Sequence, residues 1–396
     1  MSRVTSDLRE QLVALRRDLH QHPELAHQET RTAAIVAEWL GALDLRVRTH
    51  VGSTGVVATL RGDLPGPTVL LRADMDALPL DEADHGQPYR SRVNGAHHAC
   101  GHDGHVAILL VVASILAGQR AALPGTVVFL FQPAEETVGG AEGMIQDSAL
   151  DDPRPDACFA LHLWNDLSLG TVDARPGPVF AAADGFFATI TGPGGHGALP
   201  HQTHDPIVAA AEIVLALQTV VSRSTPPLQP AALTVGLLHA GTAWNVIPSR
   251  LELGGTLRTF DDGLRSRLMA RVEKLVVGIA DLHGLEARVE WATGCPPCVN
   301  QADLTSLVQR VAQGVSSIDR VAADVQTTGA DDMALILRAV PGCYFLVGSA
   351  NAERGLDGAH HSPVFDFDER ALAIGVDLLV DVTLAYLSAP PRRTAD

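Results

Sequence analysis

Residues 97–117 read His97-His98-Ala99-Cys100-Gly101-His102-Asp103-Gly104-His105, then Val-Ala-Ile-Leu-Leu-Val-Val-Ala-Ser-Ile-Leu-Ala. The first nine residues combine imidazoles, a thiol and a carboxylate, which are the donors that zinc and neighbouring transition metals accept. The apolar run Val106–Ala117 is too short to cross a bilayer and is typical of a buried helix. The stretch therefore predicts a metal-binding turn that leads into a core helix, with a merely solvated His-rich loop as the alternative.

Short strand-like runs occur on both sides of this helix. They are Gly55–Leu60, Thr68–Arg72, Thr126–Phe131 and Ala157–Leu161. Apolar strands that alternate with helices indicate an α/β domain with a mostly parallel central sheet and helices on both faces. Polar residues follow these strands, namely Asp74, Asp76, Glu135, Glu136 and His162. Because sites in open α/β sheets form beyond the carboxyl ends of strands, we expect these residues to share one site.

A second pattern begins at residue 184. The predicted elements, in the order β-α-β-β-α-β, are Gly185–Thr191, Pro206–Val220, Ala232–His239, Leu251–Thr259, Gly263–Ala280 and Glu286–Trp291. This order is the ferredoxin-like motif. The α/β pattern then resumes and ends in a helix at Glu369–Leu387. We therefore predict a discontinuous catalytic metal-binding domain, residues 1–183 and 298–396, with an inserted ferredoxin-like domain, residues 184–297, that acts as a lid and possible dimerisation surface.

The composition excludes several classes of protein. With 396 residues the chain is long enough for two or three domains, and its net charge of −17 argues against binding to nucleic acid or to an anionic membrane. Its five cysteines are odd in number and scattered, so no disulfide framework is indicated. Cys295-Pro-Pro-Cys298 has no second pair to complete a zinc site and is predicted to be a reduced structural pair. With no signal-peptide pattern at the N-terminus, we expect a soluble cytoplasmic protein.

Three features outside the His-rich stretch are ambiguous when each is taken alone. Glu135 and Glu136 fit either a solvated loop or a hydrolytic site, in which one carboxylate binds a metal and the other transfers protons. A lone histidine at a strand end, such as His162, is more often structural. His360-His361 near the C-terminus is equally open. Their joint occurrence in one predicted domain favours a shared metal site.

Six segments in chain order resemble one known family. They are Leu71-Arg-Ala-Asp-Met-Asp-Ala-Leu-Pro79, His98-Ala-Cys-Gly-His-Asp-Gly-His105, Gln132-Pro-Ala-Glu-Glu136, Gly192-Pro-Gly-Gly-His-Gly197, Asn245-Val-Ile-Pro248 and His361-Ser-Pro363. Together they resemble the N-acyl-amino-acid amidohydrolases of the hippurate hydrolase and indole-acetyl-amino-acid hydrolase type. That family belongs to a wider superfamily of dinuclear metallo-exopeptidases and aminoacylases.

The resemblance implies roles for seven residues of the catalytic domain. The implied ligands of two divalent metal ions (Zn, Mn, Ni or Co) are Cys100, His102, Glu136, His162 and His361. Glu135 would be the general acid/base, and Asp76 a carboxylate that orients a ligand imidazole. Family members often have leucine where this chain has His360, so the choice between His360 and His361 stays open, with His361 preferred.

The resemblance also implies substrate contacts in the inserted domain. His196 would stabilise the developing oxyanion, and Asn245 would hydrogen-bond the substrate. Arg258 would face a substrate carboxylate, with a surface salt bridge as the equal alternative. The segment 192–197 also matches the GxGxxG pattern, but no helix starts at its glycines, which disfavours nucleotide binding.

The predicted function is hydrolysis of the amide bond of N-acyl amino acids or small peptides by metal-activated water, with Glu135 as the proton shuttle. One alternative is a non-catalytic metal-binding or regulatory protein on the same scaffold. Another is a serine or cysteine hydrolase, which the lack of a G-x-S-x-G motif in the sequence disfavours. The expected partner is a small-molecule substrate, and a homodimer or higher homo-oligomer is possible.

Overall fold

The computed structural model describes residues 2–84 and 86–391, and these form two compact units. Unit 1 holds the described residues of Met1–Gly177, Val299–Val325 and Asp331–Asp396. Unit 2 holds Pro178–Cys298 and Gln326–Ala330. The predicted domain limits at residues 183/184 and 297/298 stay predictions, and the outer limits at residues 1 and 396 lie outside the described residues.

The secondary structure alternates between strands and helices along most of the chain. Its first part comprises α1 Ser6–Gln21, α2 Thr30–Ala42, β1 Arg46–Val51, β2 Gly55–Arg61, β3 Leu64–Asp74, α3 His102–Ala117, β4 Pro124–Gln132, α4 Gly140–Gln146, β5 Ala157–Ser168, β6 Thr171–Asp173 and β7 Gly177–Phe180. The middle part comprises β8 Ala182–Thr191, β9 Gly195–His196, α5 Pro206–Ser224, β10 Ala231–Ala240, β11 Val246–Ile247, β12 Arg250–Thr259, α6 Asp262–Leu282, β13 Glu286–Thr293 and β14 Cys298–Asn300. The last part comprises α7 Ala302–Ala312, β15 Arg320–Ala322, α8 Met333–Ala339, β16 Gly342–Ala350 and α9 Arg370–Ser388.

Unit 1 is built on a sheet with the strand order β1-β2-β4-β3-β5-β16-β6-β15. The central pairs β4–β3, β3–β5 and β5–β16 are parallel, which confirms the predicted α/β class with a mostly parallel sheet. Asp74 at the end of β3 lies opposite Gln132 at the end of β4. The segments that follow β3 and β4 therefore leave the sheet at the same edge, where we expected the site.

Helix α3 lies in the core of unit 1. It begins at His102, four residues before the predicted apolar run, and its buried positions occur on every side of the helix. A helix that is apolar all round must be covered on all faces, and α3 contacts α1, α9 and β3. Helix α9 is long and apolar enough to cross a membrane by composition alone, but 78% of its apolar window is buried inside the protein. Its apolarity therefore reflects its place in the core.

Unit 2 has the element order predicted for the inserted domain. Its antiparallel sheet has the strand order β10-β12-β8-β13, with α5 between β8 and β10 and α6 between β12 and β13. This is the ferredoxin-like arrangement. The two helices pack on one core with the sheet, through residues such as Ile213, Leu217 and Val272. The short strands β9 and β11 form a separate antiparallel ribbon.

Candidate metal centre and active site

The turn before α3 presents two potential metal ligands. Gly101 caps the helix with φ +90°, a left-handed conformation that favours glycine. Cys100 precedes this glycine and His102 is the first helical residue, so the sharp turn brings both side chains to the N-terminal end of α3. Both side chains are buried.

The Glu135–Glu136 pair sits on a strained turn after β4. Ala134 and Val138 have φ values of +52° and +54°, which non-glycine residues rarely adopt unless surrounding contacts hold them. The carboxylate of Asp76 supplies such contacts, because its two oxygens accept the backbone N–H groups of Glu135 and Glu136 at 3.0 Å each. Asp76 therefore fixes the direction of both glutamates.

Three further contacts close the same turn. The carboxylate of Glu29 accepts the backbone N–H of Ala134 at 2.9 Å, and that of Asp332 accepts the N–H of Ala141 at 2.9 Å. Gly140 passes so close to Pro133 that a Cβ atom on it would lie 1.6 Å from the Pro133 carbonyl oxygen. The turn can close in this way only with glycine at position 140.

His162 lies within β5 rather than at its end. The predicted strand limit at Leu161 is wrong, because β5 continues to Ser168. The pairing of β5 with β3 nevertheless stops at Ala160, so His162 lies beyond the part of β5 that β3 covers. Its Nδ1 is 2.6 Å from the carbonyl oxygen of Leu163, and its Nε2 lies 3.5 Å from the sulfur of Cys100.

All five predicted ligands converge in unit 1. The Nε2 atom of His361 lies 3.4 Å from Glu136 Oε2, and Nε2 of His102 lies 3.8 Å from Glu136 Oε1. Two groups of three donors with mutual separations within 4.8 Å share Cys100, and these are Cys100–His102–His162 and Cys100–Glu136–His361. A further group joins His102 to both glutamates, so distance alone also admits Glu135 as a ligand. Overlapping groups of this kind can hold neighbouring metal ions.

Two buried atoms in this cluster satisfy a direct test of fit to a cation. Among the described residues, neither His102 Nε2 nor Glu136 Oε1 has a hydrogen-bond partner, although both atoms are buried. They face each other at 3.8 Å, which is too long for a hydrogen bond and compatible with a shared ion about 2.0–2.2 Å from each. The other nitrogen of His102 is 2.9 Å from the backbone oxygen of Asp76, a contact typical of metal-binding histidines.

The charges around the cluster also favour a cation. Burial opposes a positive charge on His102, but Asp74 and Asp76 outweigh it and raise the pKa of His102 to about 10. Burial, Glu136 and Glu135 raise the pKa of Cys100 well above that of a free thiol. The site is thus rich in negative charge and resists a thiolate unless a cation compensates it, which is what a divalent metal does.

Glu135 differs from its neighbour in its surroundings. Burial, followed by the carboxylates of Asp331 and Glu136, raises the pKa of Glu135 well above its usual range. Such surroundings stabilise the protonated form of the carboxyl group, which favours uptake of a proton from a neighbouring group, as a general acid/base must achieve.

A buried ion network beneath the glutamate turn was not predicted from the sequence. The guanidinium of Arg72 donates to Gln132 at 2.9 Å and to Asp74 at 2.6 Å, and it lies 3.3 Å from Asp331 and 3.4 Å from Asp332. Asp332 also accepts from the turn at Ala141. The adjacent pair Asp331-Asp332, directly before the apolar helix α8, is the sequence signal that could have indicated a role for it.

The other histidines of the His-rich stretch, His97, His98 and His105, have surroundings different from those of His102. His105 uses both ring nitrogens, one 2.6 Å from Asp74 and the other accepting the backbone N–H of Leu163 at 2.9 Å. Burial lowers the pKa of His97 to about 4 and that of His98 to about 3. His97 packs edge-on against the buried His20.

The three predicted substrate contacts lie in unit 2. Pairing of β9 with β11 sets His196 opposite Val246 and brings it beside Asn245, whose carbonyl accepts the N–H of Gly197 at 2.8 Å. The Nδ1 atom of His196 accepts from Ala198 at 3.0 Å, so the neutral ring carries its proton on Nε2 in an exposed side chain. Arg258 does not lie beside this ribbon. It is on β12, eight residues beyond Arg250, the first residue of that strand, which corresponds to about 26 Å along the strand at 3.3 Å per residue. It donates to Thr256 at 2.8 Å.

Comparison with known proteins identifies relatives over nearly the whole chain. An N-acetyl-L-cysteine deacetylase of Bacillus subtilis is 41% identical over 369 residues, which are 93% of this chain and 86% of that protein. The IAA-amino acid hydrolase ILR1-like 2 of Arabidopsis thaliana is 37% identical over 380 residues, 95% of this chain and 85% of that protein. The crystal structure of a dinuclear metal binding peptidase from the M20 family, also of Bacillus subtilis, matches with a TM-score of 0.85 and 32% identity, covering 97% of this chain and 99% of that one.

The family assignment follows from a match over most of the sequence. The model of Peptidase family M20/M25/M40 matches residues 70–385, a range that includes the glutamate turn and both ends of the donor cluster. The resemblance seen in the six sequence segments is thereby confirmed. The chain belongs to Peptidase family M20/M25/M40.

Proposed function

We propose that the chain is a metal-dependent amidohydrolase that cleaves the amide bond of N-acyl amino acids or small peptides. Its relatives include enzymes named for deacetylation of N-acetyl-cysteine and for hydrolysis of IAA-amino acids. The substrates in both names contain an amide bond between an acyl group and an amino acid. This bond defines the proposed substrate class.

One observation carries this proposal. Among the residues that the structure describes, His102 Nε2 and Glu136 Oε1 have no hydrogen-bond partner. These two atoms lie 3.8 Å apart, and Glu135 directly precedes Glu136 on the same turn. A cation-binding gap beside a buried carboxylic acid is the arrangement that metal-assisted hydrolysis needs.

We assign two divalent metal ions to the donors Cys100, His102, Glu136, His162 and His361. Thiolate and imidazole donors suit Zn, Ni or Co, while the carboxylate also admits Mn. When bound, such ions polarise the substrate carbonyl and make water more acidic. Asp76 acts on this set indirectly, through its carbonyl contact with His102 and its hold on the glutamate turn.

We assign the proton transfers to Glu135. Its carboxylate takes a proton from the attacking water and delivers it to the leaving nitrogen, so that the amine departs neutral. Burial of Glu135 limits exchange of that proton with solvent. In unit 2, the exposed Nε2–H of His196 is available to donate to the carbonyl oxygen, with Asn245 beside it on the same ribbon. Arg258 is the weakest of the assigned substrate contacts, because it lies far along β12 from that ribbon.

Two further assignments concern the whole protein. We propose a homodimer formed through unit 2, because β10 is an edge strand of its sheet and Leu237 and Leu238 on it are each 47% exposed.

We also propose a cytoplasmic location. Cys100, Cys158 and Cys343 are free thiols in the structure, as a reducing compartment favours.

The test is a panel of N-acetyl, N-benzoyl and indole-acetyl amino acids, assayed before and after treatment with a chelator. We expect release of the free amino acid from at least one class, loss of that activity with chelator, and recovery when Zn, Mn, Ni or Co is added back. A serine-directed acylating reagent should have no effect. Absence of hydrolysis across the panel by fully metal-loaded protein would instead support the non-catalytic alternative.

A further inference from the structure

His360 occupies a position from which it contacts both the sheet and the donor cluster. Its ring stacks on Trp164 with centroids 4.7 Å apart and an interplanar angle of 29°. Its Nε2 lies 3.1 Å from the backbone nitrogen of Asn165, and its Nδ1 lies 3.8 Å from the sulfur of Cys100. One imidazole therefore joins β5 to a residue of the proposed metal site.

The partner of Nε2 determines where the ring proton lies. A backbone N–H can only donate, so Nε2 must accept from Asn165 and cannot carry a proton. The neutral ring then carries its proton on Nδ1, which faces Cys100. The Asn165 backbone is firmly placed, because its side chain donates to the carbonyl oxygens of Gly358 and Asp366 at 2.9 and 2.8 Å.

These contacts distinguish the two adjacent histidines. The lone pair of His360 Nε2 is already used, and its Nδ1 bears a proton, so neither nitrogen offers an electron pair to a metal. His361 has its Nε2 beside Glu136 at 3.4 Å and a side chain that is 53% exposed. The left-handed backbone of His361, with φ +61°, turns the two successive rings to different neighbours.

We propose that His360 is a positioning residue that donates its Nδ1–H to the Cys100 sulfur and so orients and stabilises that thiolate as a metal ligand. The proposal rests on the proposed function only in taking Cys100 as a ligand. A hydrogen bond to an anionic sulfur is charge-assisted, and partners of this kind typically change metal affinity by about 10–100-fold.

Two substitutions separate the hydrogen bond from the packing of the ring. His360→Phe keeps an aromatic ring on Trp164 and removes the donor, whereas His360→Asn places an amide N–H near the position of Nδ1 and removes the ring. With Co²⁺ as the probe, we expect about 10–100-fold weaker binding for His360→Phe and a sulfur-to-cobalt charge-transfer band at lower energy. His360→Asn should retain both properties near their wild-type values.

The outcomes separate this inference from the proposed function. Wild-type cobalt affinity and band position in His360→Phe, or equal damage in both variants, would overturn the hydrogen bond. Loss of one bound cobalt from His360→Phe but not from His361→Phe would make His360 the ligand and also overturn it. The charge-transfer band should disappear in Cys100→Ser; a band that persists there would refute Cys100 as a ligand, whereas hydrolysis by the wild-type protein is measured independently. Near-ultraviolet circular dichroism confirms that each variant is folded.

Discussion

Glu135→Ala should abolish amide hydrolysis while the protein retains its full content of bound metal. Removal of a general acid/base typically lowers kcat by about 10²–10⁴-fold, and Glu135 is the buried carboxyl group that the proposed mechanism uses for both proton transfers. Metal binding should persist because Cys100, His102 and Glu136 are unchanged. Turnover and elemental analysis on the same purified sample measure both effects.

Glu142→Gln is the matched control for this variant. Glu142 is an exposed carboxylate on α4, shortly after the glutamate turn, and its loss should change neither turnover nor metal content. Near-normal turnover of Glu135→Ala would refute the assigned mechanism. A loss of metal from Glu135→Ala would make Glu135 a ligand, as its distance to His102 and Glu136 allows.

Arg72→Met should lower the free energy of unfolding by about 3–5 kcal/mol, the range for removal of one partner from a buried ion network. The Arg72 side chain is 1% exposed and faces the carboxylates of Asp74, Asp331 and Asp332. Methionine fills most of the space but leaves these buried carboxylates without their cation. Chemical denaturation measures this change through the midpoint and the slope of the unfolding transition.

Arg46→Met provides the comparison for Arg72→Met within unit 1. Arg46 pairs with Asp152 at 2.7 Å, but their side chains are 51% and 66% exposed. Solvent screens an exposed pair of this kind, so this variant should unfold nearly as the wild type does. Equal stability losses in the two variants would show that the Arg72 network does not stabilise the fold in the way we describe.

Local sequence pattern was sufficient to predict several principal elements of the fold. The apolar runs at residues 106–117 and 126–131 lie within α3 and β4, because burial on all sides requires an uninterrupted apolar sequence. The β-α-β-β-α-β order of unit 2 followed from alternation and turn signals in the same way. The predicted end of a strand at Leu161 was wrong. β5 continues beyond the strongly apolar run as far as Ser168.

The supporting contacts of the site could not be predicted because they join distant parts of the chain. Arg72 and Asp331 are 259 residues apart, and nothing local to either residue specifies the other. The contact of Glu29 with Ala134 of the glutamate turn spans 105 residues. The choice between His360 and His361 depends on which ring meets the Asn165 N–H, a property of packing that adjacent identical residues cannot reveal.

The metal content of purified protein, compared between wild type and His102→Ala, tests the central claim most directly. His102 begins α3, its Nε2 lies 3.8 Å from Glu136 Oε1, and it belongs to the donor group of Cys100 and His162. We predict about two divalent ions per wild-type chain, as a shared-water hydrolytic site requires, and at least one fewer in His102→Ala. Wild-type protein that binds no divalent metal when it is supplied, or a His102→Ala variant with unchanged metal content, would contradict the account.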